Sequence, residues 1–224
     1  MDTTYTYEHV IEHVKPSWLE FFGDDENKTE LCEILEYVEK CRKKYYDKKH
    51  ILPYAENVLK AFTYFEVNEI KAVMIGQDPY PLCIYKEDKN DEYTVIPHAM
   101  GILFSVPVEV QPIPKSLMNI FKELSTDING FKIPSTGDLT VWANEEKILL
   151  INSAFTVIEG KSNSHKIKCA EFTDKLIRFI SNKTVHIPFI LLGNDAKSKK
   201  ELLDLSKHIT IEAGHPSPLN RKGD

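Results

Sequence analysis

The stretch KAVMIGQDPYP, Lys71 to Pro81, decides how this chain folds. Its first half is an unbroken apolar run of the length of a buried strand. Its second half sets an acid between a glutamine and two prolines. Proline fixes its own φ and restricts the residue before it. Asp78 and Tyr80, each followed by a proline, therefore have little backbone freedom. Order of this kind, directly beyond a strand, suits a reactive site better than a connecting loop.

Three further runs share the strand pattern: KILLIN (Lys147–Asn152), IPFILLG (Ile187–Gly193) and HITIEAG (His208–Gly214). Segments with helical spacing follow the first three strands: SLMNIFKEL (Ser116–Leu124), AEFTDKLIRFI (Ala170–Ile180) and AKSKKELLDLSK (Ala196–Lys207). Strands alternating with helices predict an α/β fold. The expected architecture is a single domain, 1–224, with a central, mostly parallel four-stranded sheet and helices on both faces. The first 65 residues read as mainly helical, with apolar spacing in WLEFF (Trp18–Phe22), ELCEILEYVEKC (Glu30–Cys41) and ENVLKAFTYF (Glu56–Phe65). YKEDKNDEY (Tyr85–Tyr93) is polar and acidic and reads as a surface loop or insertion.

In open α/β sheets ligands bind beyond the carboxyl ends of the strands. Here those ends run into QDPYP, Asn152-Ser-Ala-Phe, Gly193-Asn-Asp and His215-Pro-Ser-Pro. An acid, an amide, a glycine turn and a histidine thus converge, which points to an enzyme rather than a scaffold.

Composition bounds the alternatives. The 224 residues are 42% hydrophobic and 28% charged, ordinary for a globular chain with a sizeable core. No apolar run is long enough for a membrane span, and MDTTYTYEHV has neither a signal-peptide nor a transit-peptide pattern. The expected setting is intracellular and soluble: nucleus in a eukaryote, cytoplasm otherwise. Cys32, Cys41, Cys83 and Cys169 form no CxxC pair and have no histidine at zinc spacing, so no metal site is expected. Net charge is −6, but residues 1–110 carry about −9 and residues 111–224 about +3. A polyanionic partner would meet the second half.

The pieces GQDPY, GILFSV, PKSLMNIFKELSTDI, GDLTVWA, ILLINSAFTV, NSHK, EFTDKLI and GHPSPL stand in the order found in the classical uracil-DNA glycosylase family. The chain resembles that family from about Ile51 to Leu219. Other uracil glycosylase branches use different motifs, one of them with an iron–sulfur cluster whose cysteine pattern is absent here. The resemblance implies hydrolysis of the bond between uracil and deoxyribose after the nucleotide is flipped out of the stack. It implies no cofactor, since water is the nucleophile. Implied partners are uracil-containing DNA, single- or double-stranded, and an inhibitor protein or replication partner. The chain is expected to act as a monomer.

The resemblance also assigns roles. Asp78 is the carboxylate beside the sugar, and His215 the neutral donor to the uracil oxygen. Asn152 reads the imide edge, Phe104 stacks on the base, Tyr80 fills the space a thymine methyl would need, and Gln77 contacts uracil. Pro112, Pro114 and Ser116 resemble a proline-rich phosphate loop. Gly193 and Asn194 take the place of a Gly-Ser loop, Ser217 that of a phosphate contact, and Leu219 that of the apolar wedge.

Departures are visible too. Pro81 stands where the family has histidine. Met100 replaces another histidine, for which His98 is the candidate substitute. NSHK lacks the tryptophan that usually follows, and the family continues beyond Asp224, so the end is expected to be shortened. Two readings therefore stay open: an active glycosylase, or a DNA-binding accessory protein that keeps the fold without turnover. The second would bind DNA without releasing uracil.

Overall fold

A computed structural model describes residues 4–45, 48–87 and 93–218. The four apolar runs form strands β2 (Ala72–Gly76), β5 (Ile148–Asn152), β7 (Pro188–Leu192) and β8 (Ile209–Ala213). They pair in the order β5-β2-β7-β8, and every pairing is parallel. Two two-residue strands, β1 (Ile51–Leu52) and β6 (Val157–Ile158), pair antiparallel beside this sheet.

Alternation along the strands splits the core in two. Val73, Ile75, Leu149, Ile151, Phe189 and Leu191 pack into one cluster, and Met74, Leu150, Ile190 and Leu192 into another. Successive side chains leave opposite faces of a strand, so both faces of the sheet are covered. The first face carries α3 (Asp25–Tyr45) and α6 (Lys166–Lys183). Helix α3 buries Leu31, Ile34, Leu35 and Val38, one stripe at three- and four-residue spacing. Its acids Asp25 and Glu26 sit in the first turn and Arg42, Lys43 and Lys44 in the last, matching the helix dipole. Helix α6 buries Phe172, Leu176, Ile177 and Ile180. The short α1 (Tyr7–Ile11) and α2 (Leu19–Phe22) complete this layer. On the other face lie α4 (Lys115–Asp127), through Leu117 and Phe121, and α5 (Thr140–Asn144) with Trp142.

Three expectations change. ENVLKAFTYF is not one helix but two 3-10 turns, Ala55–Asn57 and Lys60–Phe62. Val58, Leu59, Ala61, Phe62 and Phe65 are buried, while Glu56, Asn57, Lys60 and Thr63 are not, so the apolar spacing marks the buried side correctly but the backbone makes two short turns instead of a continuous helix. AKSKKELLDLSK is helical only as α7 (Asn194–Lys197) and a 3-10 turn to Leu202. Its end is set by Asp204, whose Oδ1 accepts from the Ser206 amide at 3.0 Å. Both ends of the acidic segment are strand, β3 (Cys83–Glu87) pairing antiparallel with β4 (Tyr93–Pro97); residues 88–92 of the expected loop lie outside the described residues. Tyr, Thr, Val and Ile in β4 favour a strand over a loop. No helix among the described residues is long and apolar enough to cross a membrane.

Candidate active site

The register of the sheet sets the site. Gly76 lies opposite Asn152, so the last residues of β2 and β5 are neighbours. A Cβ on Gly76 would sit 2.1 Å from a Leu103 methyl and 3.2 Å from Asn152 Oδ1, so only glycine lets both side chains approach. The ladder continues past the strand. Ser153 N–H donates to the Gly76 carbonyl at 2.9 Å, and Ala154 N–H to that of Gln77 at 3.0 Å. The segment that carries Asp78 is thus held on one side by the sheet and on the other by its prolines.

A cavity of about 340 Å³ opens at these tips. Gln77, Asp78, Tyr80, Phe104, Asn152 and His215 all line it, with Ser116 and Ser217 at the same cavity. Its volume lies at the small end of ligand pockets.

Asp78 Oδ2 accepts from the Asn163 backbone N–H at 2.6 Å, and Oδ1 from Gln77 Nε2 at 3.1 Å. Burial raises its pKa above the usual value, against the opposing pull of these two donors and of His215. His215 moves the other way: burial lowers its pKa, against the attraction of Asp78 and Asp195. Its Nδ1 accepts from the Ser217 backbone N–H at 3.0 Å. With Nδ1 occupied as an acceptor, the proton of the neutral ring belongs on Nε2, which makes that atom a donor. Gly193, at φ 88°, packs beneath this ring, where a Cβ would lie 2.9 Å from His215 Cβ.

Asn152 Oδ1 is buried and has no hydrogen-bond partner among the described residues. A buried polar atom left unpaired is costly, and the cost is relieved by a ligand that brings an N–H. Phe104 is held at φ 61°, the left-handed region that bulky residues avoid. Its ring lies edge-on to His215 at 6.2 Å between centroids. The Tyr80 hydroxyl hydrogen-bonds Ser116 Oγ at 2.8 Å, and burial pushes its pKa up to about 12.

The remaining predicted residues lie outside the cavity lining. Pro114 precedes α4, its carbonyl accepting from Met118 N–H at 2.9 Å, and Pro112 lies in the approach to that helix. Gly193 caps α7 and Asn194 begins it. Leu219 lies outside the described residues. Met100 lines the cavity, whereas His98, expected to substitute for the missing histidine, does not; its amide is tied to the Leu82 carbonyl at 2.8 Å.

Two positions carry more than the sequence suggested. Asn163, at φ 63°, aims its amide at Asp78, and asparagine is among the few residues that tolerate that backbone region. Asn119 Nδ2 donates to the Pro216 carbonyl at 2.8 Å, tying α4 to the loop that holds His215. NSHK flags the first. A polar residue within the SLMNIFKEL helix is the only hint of the second.

Fold and cavity together define an α/β enzyme whose site is assembled at the carboxyl ends of a parallel sheet. A family model described as the uracil DNA glycosylase superfamily matches residues 62–224. A uracil-DNA glycosylase of Vibrio parahaemolyticus is 37% identical over 206 residues, 92% of this chain and 83% of the relative. One from Campylobacter concisus is 38% identical over 209 residues, 93% of this chain and 82% of the relative. The crystal structure of mimivirus uracil-DNA glycosylase superposes with a TM-score of 0.78 at 31% identity, covering 97% of this chain and 74% of that one. The chain belongs to the uracil-DNA glycosylase superfamily.

Proposed function

We propose that this chain is a uracil-DNA glycosylase that hydrolyses the bond between uracil and deoxyribose and leaves an abasic site. The observation that carries the reading is the shared cavity. Asp78, Asn152 and His215, from three strand tips, line one space, and the Asn152 side-chain oxygen finds no donor among the described residues.

The chemistry follows from charge. As the C1′–N1 bond breaks, its electron pair leaves with uracil and positive charge grows on the sugar. Asp78 stabilises that sugar and takes a proton from the water whose oxygen bonds to C1′. His215 donates from Nε2 to the uracil oxygen, where negative charge collects. A neutral donor serves here, since burial already disfavours the charged ring. Asn152 offers Oδ1 to the imide N–H and Nδ2 to the adjacent carbonyl. Phe104 and Gln77 complete the base contacts, and the Tyr80 ring occupies the space beside C5. Ser116, Ser217 and the backbone near Pro112, Pro114, Gly193 and Asn194 grip phosphates without needing net positive charge.

The chain acts as a monomer on DNA inside the cell. Mimivirus UNG variants have been solved in complex with UGI. An inhibitor of that kind is a candidate partner here.

The test is release of uracil from a labelled oligonucleotide, with a thymine control and a parallel binding assay. Asp78→Asn and His215→Leu should each remove most release while leaving the thermal transition in place. Release at the parental rate by both variants would overturn the assigned roles. Binding by the parent without release would favour the accessory-protein reading.

A further inference from the structure

Helix α4 has no side-chain cap of its own: the residue before it is Pro114, which offers no capping group. The group that reaches its first turn comes from 36 residues earlier in the chain. The Tyr80 hydroxyl bonds Ser116 Oγ at 2.8 Å, and the Leu117 amide favours the same oxygen. Ser116 is only 8% exposed, so water competes weakly for its hydroxyl. At its other end Tyr80 lies between Pro79 and Pro81, which hold the backbone. The ring is thus pinned at both ends: main chain by prolines, phenol by a helix terminus. Its remaining freedom is rotation of two side-chain torsions, and the hydroxyl contact restrains both.

We propose that Ser116 is a specificity-determining positioning residue, holding the Tyr80 phenol so that the ring cannot yield to a pyrimidine bearing a substituent at C5. This rests on the reading of Tyr80 as the wall beside C5. An unanchored tyrosine could swing away from a methyl group; an anchored one excludes it. The role differs from that of a phosphate contact. A phosphate contact acts equally on every base carried by the same strand, whereas an anchor acts on the choice among bases.

The experiment measures kcat/KM on one oligonucleotide sequence carrying uracil, 5-fluorouracil or thymine at the same position. The ratio between bases cancels every contact to the shared backbone. Ser116→Ala should lower the preference for uracil over thymine by about fivefold, the scale of one lost hydrogen bond. The change against 5-fluorouracil should be smaller, because fluorine is smaller than methyl. Tyr80→Phe, which keeps the ring and removes the hydroxyl, should lower the preference similarly. The double variant should go no further than the larger single one, and Ser116→Thr, which keeps a hydroxyl, should restore the parental ratio. If Ser116→Ala fails to fold, the Tyr80→Phe ratio decides. Unchanged ratios, with all rates falling in step, would overturn the proposal and leave Ser116 as a phosphate contact. A parent chain that releases no uracil would overturn the glycosylase reading instead, a result visible before any variant is made.

Discussion

The protonation states of two side chains set how the site should respond to pH. Burial raises Asp78 above 3.8 and lowers His215 below 6.5, each from its ordinary value. Activity needs the carboxylate charged and the imidazole neutral, and both conditions are met by losing a proton. The pH profile of kcat/KM should therefore climb as pH rises and then level, with no falling limb as His215 loses its proton, measured with limiting DNA. A rate that falls as the imidazole deprotonates would contradict the assignment of His215 as a neutral donor. Gly193 gives a second test. Its φ of 88° belongs to a region that is essentially glycine's alone, and a methyl there would press on His215. Gly193→Ala should cost about 1–3 kcal/mol in denaturant unfolding and lower the release rate by more than that stability loss explains. At this scale the sequence was most informative. Prolines around Asp78 and Tyr80 announce stiffness whatever the rest of the chain does. Asn163 escaped assignment because its contribution is a backbone amide, and side-chain chemistry does not advertise where an amide points.

Among elements, the parallel strands were readable because each is an apolar run bounded by a polar tip, and burial on both faces leaves no competing pattern. Val58–Phe65 differs because the spacing that puts Val58, Leu59, Ala61, Phe62 and Phe65 on the buried side suits short 3-10 turns as well as an α-helix. The pairing of β3 with β4 is hard to read because the acidic residues between them in the sequence draw attention away from the β-formers on either side. Helix α4 joins two parts of the site to the core. It meets Tyr80 through Ser116, the core through Leu117 and Phe121, and the His215 loop through Asn119. Phe121→Ala should cost about 3–5 kcal/mol, as for other fully buried aromatics, measured by equilibrium unfolding. Asn119→Ala should differ. Its side-chain bond lies at the surface, so stability should change by about 1 kcal/mol or less while uracil release falls several-fold. Asn119→Asp, which cannot donate, should behave like the alanine variant.

For the whole molecule, a net charge of −6 limits how nucleic acid can be held. If loops and backbone amides supply the grip, few counterions are displaced, and log K should fall against log salt with a slope of magnitude below about 4. Global stability should also carry a pH signature. His165 is 1% exposed, pairs through Nδ1 with Thr156 Oγ1 at 2.8 Å, and burial pushes its pKa down to about 4. An unfolded chain binds a proton there near pH 6.5, so between those values it holds more protons than the native one. Unfolding free energy should drop as pH falls through that window, by on the order of 3 kcal/mol in full, and His165→Gln should flatten the drop. The sheet itself carries one more consequence. Because apolar side chains emerge from both of its surfaces, sliding β5 by one position against β2 would still bury oil on oil, so that polarity alone does not oppose the error and only the fit of individual side chains does. What such a slip destroys is the amide at the tip, turned from the cavity to the reverse side. Selection on catalysis thus polices strand alignment that hydrophobicity leaves underdetermined, and gains or losses of single residues should be found in the connectors but not within these two runs.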